Sequence, residues 1–401
     1  MASDGEFEDD WLNSAEVLAV ASAVETGTIN SANPAITVEM DDKKRARSRS
    51  RSNSVEIIES TNPTKYLTPY DRFRKKSGFL SATDVSDIQW CAYQKLYKEI
   101  QGGGWIRASE RVQSIVGDTG AQINVDTNKA LAKEKIMDKG SAHHTKMERE
   151  MYDIADDSEM EMEIYFDKRS DYYALWLHNC IVQLTTLAHQ GRCREFGVRG
   201  LIDGQILQGD IDELCLDRKT GMVRVVDDKT RVDGKMPRYQ NSNNKAQLMV
   251  YRKMLTHFPS FDWQAWLESC GINMNEHVST PIVRQHMLQN GETDLRLCAI
   301  LDRFKAATQI ILENIDNVVE LRYHCADGGT YIGKVEIEFD EREFKRYINE
   351  AFKFWHRGDY KGVDIEDGYF KCSKCEFEES CEWLTLQHTR AVEKNKKNKK
   401  V

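Results

Sequence analysis

Along this 401-residue chain the alternation of apolar and polar positions changes rhythm several times, and each change predicts an element. Residues 1–63 show neither helical nor alternating periodicity and read as a disordered leader. Ser81 to Ile100 reads as a helix, with N-cap chemistry at Ser81, Thr83 and Asp84 and a stop at Gly102-Gly103-Gly104. A longer helix is predicted over Asn128 to Tyr152. Alternating or β-branched runs at Leu201–Gln208, Asp210–Leu216 and Met222–Lys229 predict a meander of three strands. The polar stretch Val232–Asn244 reads as a loop, followed by a helix over Lys245–Thr256. Residues 318–339 predict a hairpin turning at Asp327-Gly328-Gly329, and Glu341–Phe354 a further helix. Helices flanking a mixed sheet define an α/β architecture. The expected organisation is a leader over 1–63, one globular domain over 64–388 without internal repeats, and a basic flexible tail over 389–401.

Composition changes this picture in two places. No apolar run approaches the ~18 residues that span a bilayer, and no secretory signal heads the sequence, so a membrane-bound role is not expected. The formal charge is −9, from 56 Lys+Arg and 65 Asp+Glu. Ten of those acids fall within residues 1–42, which hold no Lys or Arg, leaving 56 bases against 55 acids over residues 43–401. The acidity belongs to the leader and does not exclude a nucleic-acid substrate. Lys43 to Arg51 packs six positive charges into nine positions, a pattern of nuclear import or nucleic-acid contact. It favours the nucleus. The mitochondrion is the alternative, although this acid-rich N-terminus is the reverse of a presequence.

Candidate chemistry concentrates in Gly209-Asp210-Ile211-Asp212 and Val226-Asp227-Asp228-Lys229-Thr230-Arg231. Side chains at i and i+2 share a strand face, so Asp227 and Lys229 point together and Asp228 to the other side. One strand and a turn separate Asp212 from Asp227, so a hairpin can bring the two carboxylates together. Two carboxylates and an ammonium suit Mg²⁺ or Mn²⁺, with the Lys steering a water. Enzymes lower the barriers of such slow hydrolyses by ~8–23 kcal/mol. One acid or base supplies only about 10²–10⁴-fold, so a Lewis acid is expected. His144 and Glu148, four apart on a predicted helix, share a face and can ligate or orient. Gln247 and Tyr251 stand one turn apart on the next helix, where they could hold a phosphate and the lysine.

Ten cysteines without a secretory signal predict reduced thiols. Cys372-x-x-Cys375-x₅-Cys381 has the spacing of a soft-metal or iron–sulfur site, whose fourth ligand is either His388 or the distant Cys91. The other six cysteines are expected to be buried as small hydrophobes. Gly328 to Val335 begins like a phosphate-binding loop, but Val335 occupies the Ser/Thr position and the surroundings read strand–turn–strand, which predicts a hairpin.

In combination these motifs resemble the exonuclease V family, eukaryotic members of the RecB/AddB-type PD-(D/E)xK nucleases. The resemblance runs from about Thr68 to Trp383. It rests on Leu80-Ser81-x-Thr83-Asp84 before Trp90-Cys91, Gly140-x₃-His144-x₃-Glu148 and Gly209-x₂-Asp212. It continues through Asp227-x-Lys229-Thr230-Arg231, Gln247-x₃-Tyr251, Phe354-Trp355 and the cysteine trio. The resemblance implies a restriction-endonuclease-like core closed by a 4Fe–4S cluster on Cys91, Cys372, Cys375 and Cys381. It also implies magnesium on His144, Asp212 and Asp227, Lys229 as the catalytic lysine, and Gln247 and Tyr251 in the family's Q-x₃-Y motif. The implied activity is exonucleolytic cleavage of single-stranded DNA to short oligonucleotides by a monomer, in DNA repair, with a single-strand-binding protein as a candidate partner. Departures are Asp227 where Glu is also common, His143 beside His144, and the acidic leader. The rival readings are a zinc-stapled nucleic-acid-binding protein without catalysis and a nuclease subunit that needs a separate helicase.

Overall fold

Ser81 opens the first long helical stretch of the computed structural model through a capping box. Its hydroxyl accepts the Asp84 N–H and the Asp84 carboxylate accepts the Ser81 N–H, both at 2.9 Å. The stretch is not the single helix that the sequence predicts. It is two helices, Ala82–Trp90 and Ala92–Ile100, parted at Cys91, whose backbone is extended at φ −166°, ψ 114°. In a continuous helix the Cys91 Cα–Cβ bond would lean along the helix surface toward the N-terminus. The extended conformation frees the thiol from that direction.

The structure describes residues 67–103, 106–152, 164–239 and 241–398. The leader and the basic run Lys43–Arg51 lie outside them. The described residues fall into two compact units, one drawn from the described parts of 67–141, 238–247 and 340–398, the other from those of 142–237 and 248–339.

The first unit holds the strands β1 (Phe79–Ser81), β2 (Ser114–Val116) and β3 (Gln122–Asn124), the last two an antiparallel pair. Its core gathers Leu80, Val85, Leu96, Tyr97, Phe344, Tyr347, Phe354 and Trp355. Asp84 is buried and ion-paired to Arg74 and Lys95, each at 2.8 Å, and the Trp355 indole donates to the Asp84 carbonyl at 3.0 Å. The helix Glu341–Phe352 ends two residues short of the expected Phe354. A wider π turn over Lys353–Arg357 follows and stops at Gly358, whose φ of 64° suits glycine. The last helix, Glu382–Asn398, carries regular structure into the lysine-rich end of the chain.

The second unit is built on a mixed sheet of β4 (Arg192–Ile202), β5 (Gln205–Asp217), β6 (Met222–Arg231), β7 (Val318–Cys325) and β8 (Tyr331–Glu338). Pairing is antiparallel for β4–β5, β5–β6 and β7–β8 and parallel for β6–β7. The 22-residue helix Arg169–Gln190 packs on the sheet with Leu297–Ile311 against it, and Leu177, Leu184, Phe196, Phe258, Trp263 and Phe304 fill the interior. The expected strand boundary at Gln208–Asp210 does not exist. β5 runs straight through it, and the turn lies at Asp203-Gly204, both with positive φ (47° and 81°). An Asp-Gly pair satisfies the two left-handed positions of a tight hairpin turn, whereas Gly209 sits in extended backbone. Gly328 to Val335 forms the turn and strand of the β7–β8 hairpin, as expected. No helix among the described residues is long and apolar enough to cross a membrane.

Candidate active site and thiol cavity

The β5–β6 ladder closes at Glu213↔Val226, immediately before the two acids singled out from the sequence. Beyond that pair the Asp212 carboxylate, not a main-chain carbonyl, accepts the Asp228 N–H at 2.7 Å. The side chain thereby satisfies a buried donor that the ladder leaves open. Asp227 is fully buried, and the Lys229 ammonium reaches both its oxygens, at 2.8 and 2.7 Å. Burial and the Asp212 charge push the Asp227 carboxyl up to about 7, against the pull of Lys229. Burial disfavours the charged form of Lys229, but Asp227 and Asp212 outweigh it and hold the ammonium above its ordinary range. Lys229 is therefore a fixed cationic donor.

His144 comes in from the helix Thr127–Tyr152. Its Nε2 lies 3.1 Å from the Asp228 carbonyl, and its Nδ1 lies 3.8 Å from an Asp212 oxygen and 3.7 Å from Glu195 Oε1. Burial works against the imidazolium, but Glu195 and Asp212 raise its pKa overall. His143 faces away, its ring 4.6 Å from that of His324, so of the adjacent pair His144 is the one beside the carboxylates.

The residue that the sequence did not single out is Glu195. It lies on β4, six residues before the first strand predicted there, and no motif spacing points to it. Its φ of 52° is one of two positive values at non-glycine positions among the described residues. Left-handed backbone costs a residue such as Glu roughly 1–2 kcal/mol. Around it the β4–β5 register passes from Arg194↔Glu213 to Phe196↔Ile211 without a Glu195–Asp212 pair. Gln183 Nε2 donates to the carbonyls of Arg194 and Glu195 at 3.1 and 3.0 Å, and the Tyr152 hydroxyl bonds the Arg194 N–H and carbonyl at 3.1 and 3.2 Å. These four bonds hold the distortion. His144, Glu195 and Asp212 each present a ligand atom, and all three atoms lie within 4.8 Å of one another.

Behind this face Arg194, 1% exposed, bridges Glu213 and Asp228 at 2.9 and 2.8 Å, and His324 Nε2 lies 3.1 Å from the other Asp228 oxygen. Asp228 is thus on the opposite side of β6 from Asp227, as the strand period requires, and locks β6 from beneath. Removing one partner of such a network strands the others. Arg194→Ala is expected to cost ~3–5 kcal/mol in denaturant unfolding.

Glu148 lies one turn beyond His144 on the same helix but is not one of the three grouped side chains, whose carboxylates come from Asp212 and Glu195. Gln247 and Tyr251 stand one turn apart on the helix Ser242–His257, with Tyr251 buried.

In the other unit Cys91, Cys372, Cys375 and Cys381 line one cavity with Trp90, Gln94, Val363 and Trp383, and His388 is not part of its wall. Gln94 Nε2 reaches Cys375 Sγ at 3.4 Å. Burial raises the Cys91 thiol, and the neighbouring Cys381 adds to the shift. Burial also pushes Cys372 up to about 11 and Cys375 to about 12. Four converging soft donors fit a tetrahedral thiolate site, which must displace those protons. Tyr97 fixes the surroundings, its hydroxyl accepting the Glu382 N–H and donating to a Glu382 carboxylate oxygen, both at 3.1 Å. Of the six remaining cysteines only Cys180 and Cys193 are fully buried, and the other four are half-buried.

A mixed α/β sheet that collects a histidine, three carboxylates and a lysine at one splayed strand pair defines a candidate hydrolytic metal site, accompanied in this chain by a four-thiol cavity. A family model described as exonuclease V, a 5′ deoxyribonuclease, matches residues 123–224 and 289–384. The matched segments hold His144, Glu195 and Asp212 in the first part and the three C-terminal cysteines in the second. Exonuclease V of Danio rerio is 24% identical over 335 residues, covering 80% of this chain and 74% of that protein. A protein of Candida dubliniensis described as exonuclease V, mitochondrial, is 33% identical over 82 residues, 20% of this chain and 13% of the relative. The chain belongs to the exonuclease V family.

Proposed function

We propose that this protein is a divalent-metal-dependent exodeoxyribonuclease that degrades single-stranded DNA from 5′ ends to short oligonucleotides, in the maintenance of DNA. The observation that carries the proposal is the convergence of His144, Asp212 and the Asp227–Lys229 pair where β5 and β6 part. The family description as a 5′ deoxyribonuclease supports both the chemistry and the polarity. His144, Asp212 and Asp227 would hold Mg²⁺ or Mn²⁺, which supplies Lewis-acid stabilisation of charge on the scissile phosphate. Lys229, held cationic, donates toward the phosphate or the incoming water, and Asp227 fixes the direction of that donation. Asp228 and Arg194 take no part in the chemistry and keep the strand rigid. We further propose a 4Fe–4S cluster on Cys91, Cys372, Cys375 and Cys381, supported by their shared cavity, in a PD-(D/E)xK-type core. The mitochondrial description of the Candida relative supports the mitochondrial alternative, while nuclear import rests on the Lys43–Arg51 run.

The test uses the isolated full chain, labelled single strands and Mg²⁺, without ATP. Wild type digests linear strands from the 5′ end and spares circular ones. Lys229→Ala retains binding by anisotropy and loses cleavage by ~10²–10⁴-fold or more. Cleavage by Lys229→Ala at the wild-type rate would remove the assigned site. Wild-type activity that appears only on adding a helicase would assign the chain to a larger machine.

A further inference from the structure

We propose that Glu195 is itself a ligand of the divalent cation, placed beside His144 and Asp212 by the distorted β4 backbone. The inference rests on the metal-dependent reading above and adds a residue that neither the motif spacing nor the family resemblance assigned.

Three observations carry it. First, ligands that share a small hard cation at ~2.0–2.1 Å stand roughly 3 Å apart in cis and 4 Å in trans. The ligand atoms of His144, Glu195 and Asp212 lie within 4.8 Å of one another, with Glu195 Oε1 at 3.7 Å from His144 Nδ1. Second, Glu195 Oε1 is buried and accepts no hydrogen bond. A carboxylate oxygen turned inward without a donor is a position that a cation completes. Third, the strand departs from its ladder at this residue, at a φ of 52° that Gly or Asn would adopt with less strain. Gln183 and Tyr152 hold the departure through four hydrogen bonds. A strained strand position carrying a long acid makes sense where the acid side chain is required.

The simpler reading, that Glu195 merely orients the imidazole, meets a chemical objection. The Asp228 carbonyl can only accept, so His144 Nε2, 3.1 Å away, carries the proton. In the neutral ring Nδ1 is then a lone pair. A lone pair and a carboxylate oxygen 3.7 Å apart repel, and the distance exceeds that of a hydrogen bond. Something positive belongs between them, a proton on the ring or a cation. The same tautomer is the one that frees Nδ1 to ligate.

The experiment is Mn²⁺ binding to the full chain, followed by electron paramagnetic resonance of free Mn²⁺, for wild type, Glu195→Gln and Glu195→Asn, each with and without His144→Ala. Glu195→Gln keeps the shape, and Glu195→Asn suits the left-handed backbone, so unfolding temperatures in chelator are expected to match or exceed wild type. The expected result is affinity at least tenfold weaker in both variants, with a further loss of similar size in the His144→Ala background. Wild-type affinity in Glu195→Gln would overturn the proposal. A loss that vanishes when His144 is already Ala would reduce Glu195 to a positioning residue and overturn it equally. If wild type binds no Mn²⁺, the metal-dependent reading fails instead, a result distinct from either.

Discussion

Asp227→Asn is expected to abolish cleavage and at the same time to gain stability relative to wild type as the pH rises. Asp227 has no solvent exposure, and its carboxyl is pushed up to about 7 by burial and by Asp212. The folded state therefore holds a proton that the unfolded chain releases at its ordinary value of 3.8. Stability contributed by that proton is present below pH ~4 and is lost as the pH rises through about 7. The amide does not titrate and escapes this loss. Thermal unfolding of metal-free protein at pH 5, 6.5 and 8 should show the variant overtaking wild type, with each kcal/mol worth ~2–4 °C in a domain of this size. Added Mn²⁺ should reverse the order, because it binds and stabilises wild type while the variant has lost a charged ligand. Competition with the same proton makes wild-type Mn²⁺ affinity fall below pH ~7. A pH-independent stability difference would mean that the Asp227 carboxyl titrates normally.

Cys91→Ala is the second change with a large expected effect. Protein purified anaerobically should show a broad visible absorption and bound iron, and Cys91→Ala should lose most of both. Zinc in a colourless protein with Cys91 dispensable would favour the non-catalytic rival. A group bonded to Cys91 and Cys372 closes a loop of ~280 residues. On the chain-entropy argument such a closure is worth ~5 kcal/mol. Urea unfolding of Cys91→Ala should therefore shift to markedly lower denaturant, and chelation of iron from wild type should reproduce the shift. The packing of Tyr97 against Phe377 (ring centroids 5.2 Å apart) and its bonds to Glu382 remain in the variant, so the folded state should persist in buffer.

Part of the candidate site's arrangement is legible in the sequence. The two-residue period of a strand placed Asp227 with Lys229 and against Asp228, and the structure keeps that division, with Asp228 committed to Arg194 and His324. The four-residue helical spacing puts His144 and Glu148 on one face, and the structure sets His144 beside Asp212 and Glu195, because periodicity gives a face and not a distance. The break at Cys91 was not legible, since Ser81 to Ile100 holds no proline or glycine to announce it. The β4–β5 turn falls at Asp203-Gly204 and not at Gly209, because a glycine reads as a boundary in the sequence whether or not the backbone turns there, and the Asp-Gly pair sits inside an apolar run.

What the sequence by itself determined are the properties set by neighbours along the chain: the alternating strands, the capped helix start at Ser81, the hairpin at Asp327 to Gly329, the shared face of Asp227 and Lys229, and the C-terminal thiol trio. Only the tertiary structure decided which distant residues meet. It brought Cys91 to the wall that the trio lines and left His388 out of it. It ended the β5–β6 ladder one residue before Asp212. It turned Glu195 toward His144 through backbone bonds from Gln183 and Tyr152, residues 12 and 43 positions away along the chain. The physical reason is that backbone period and capping are local energies, whereas a ligand set depends on side chains whose sequence separation carries no information about their distance.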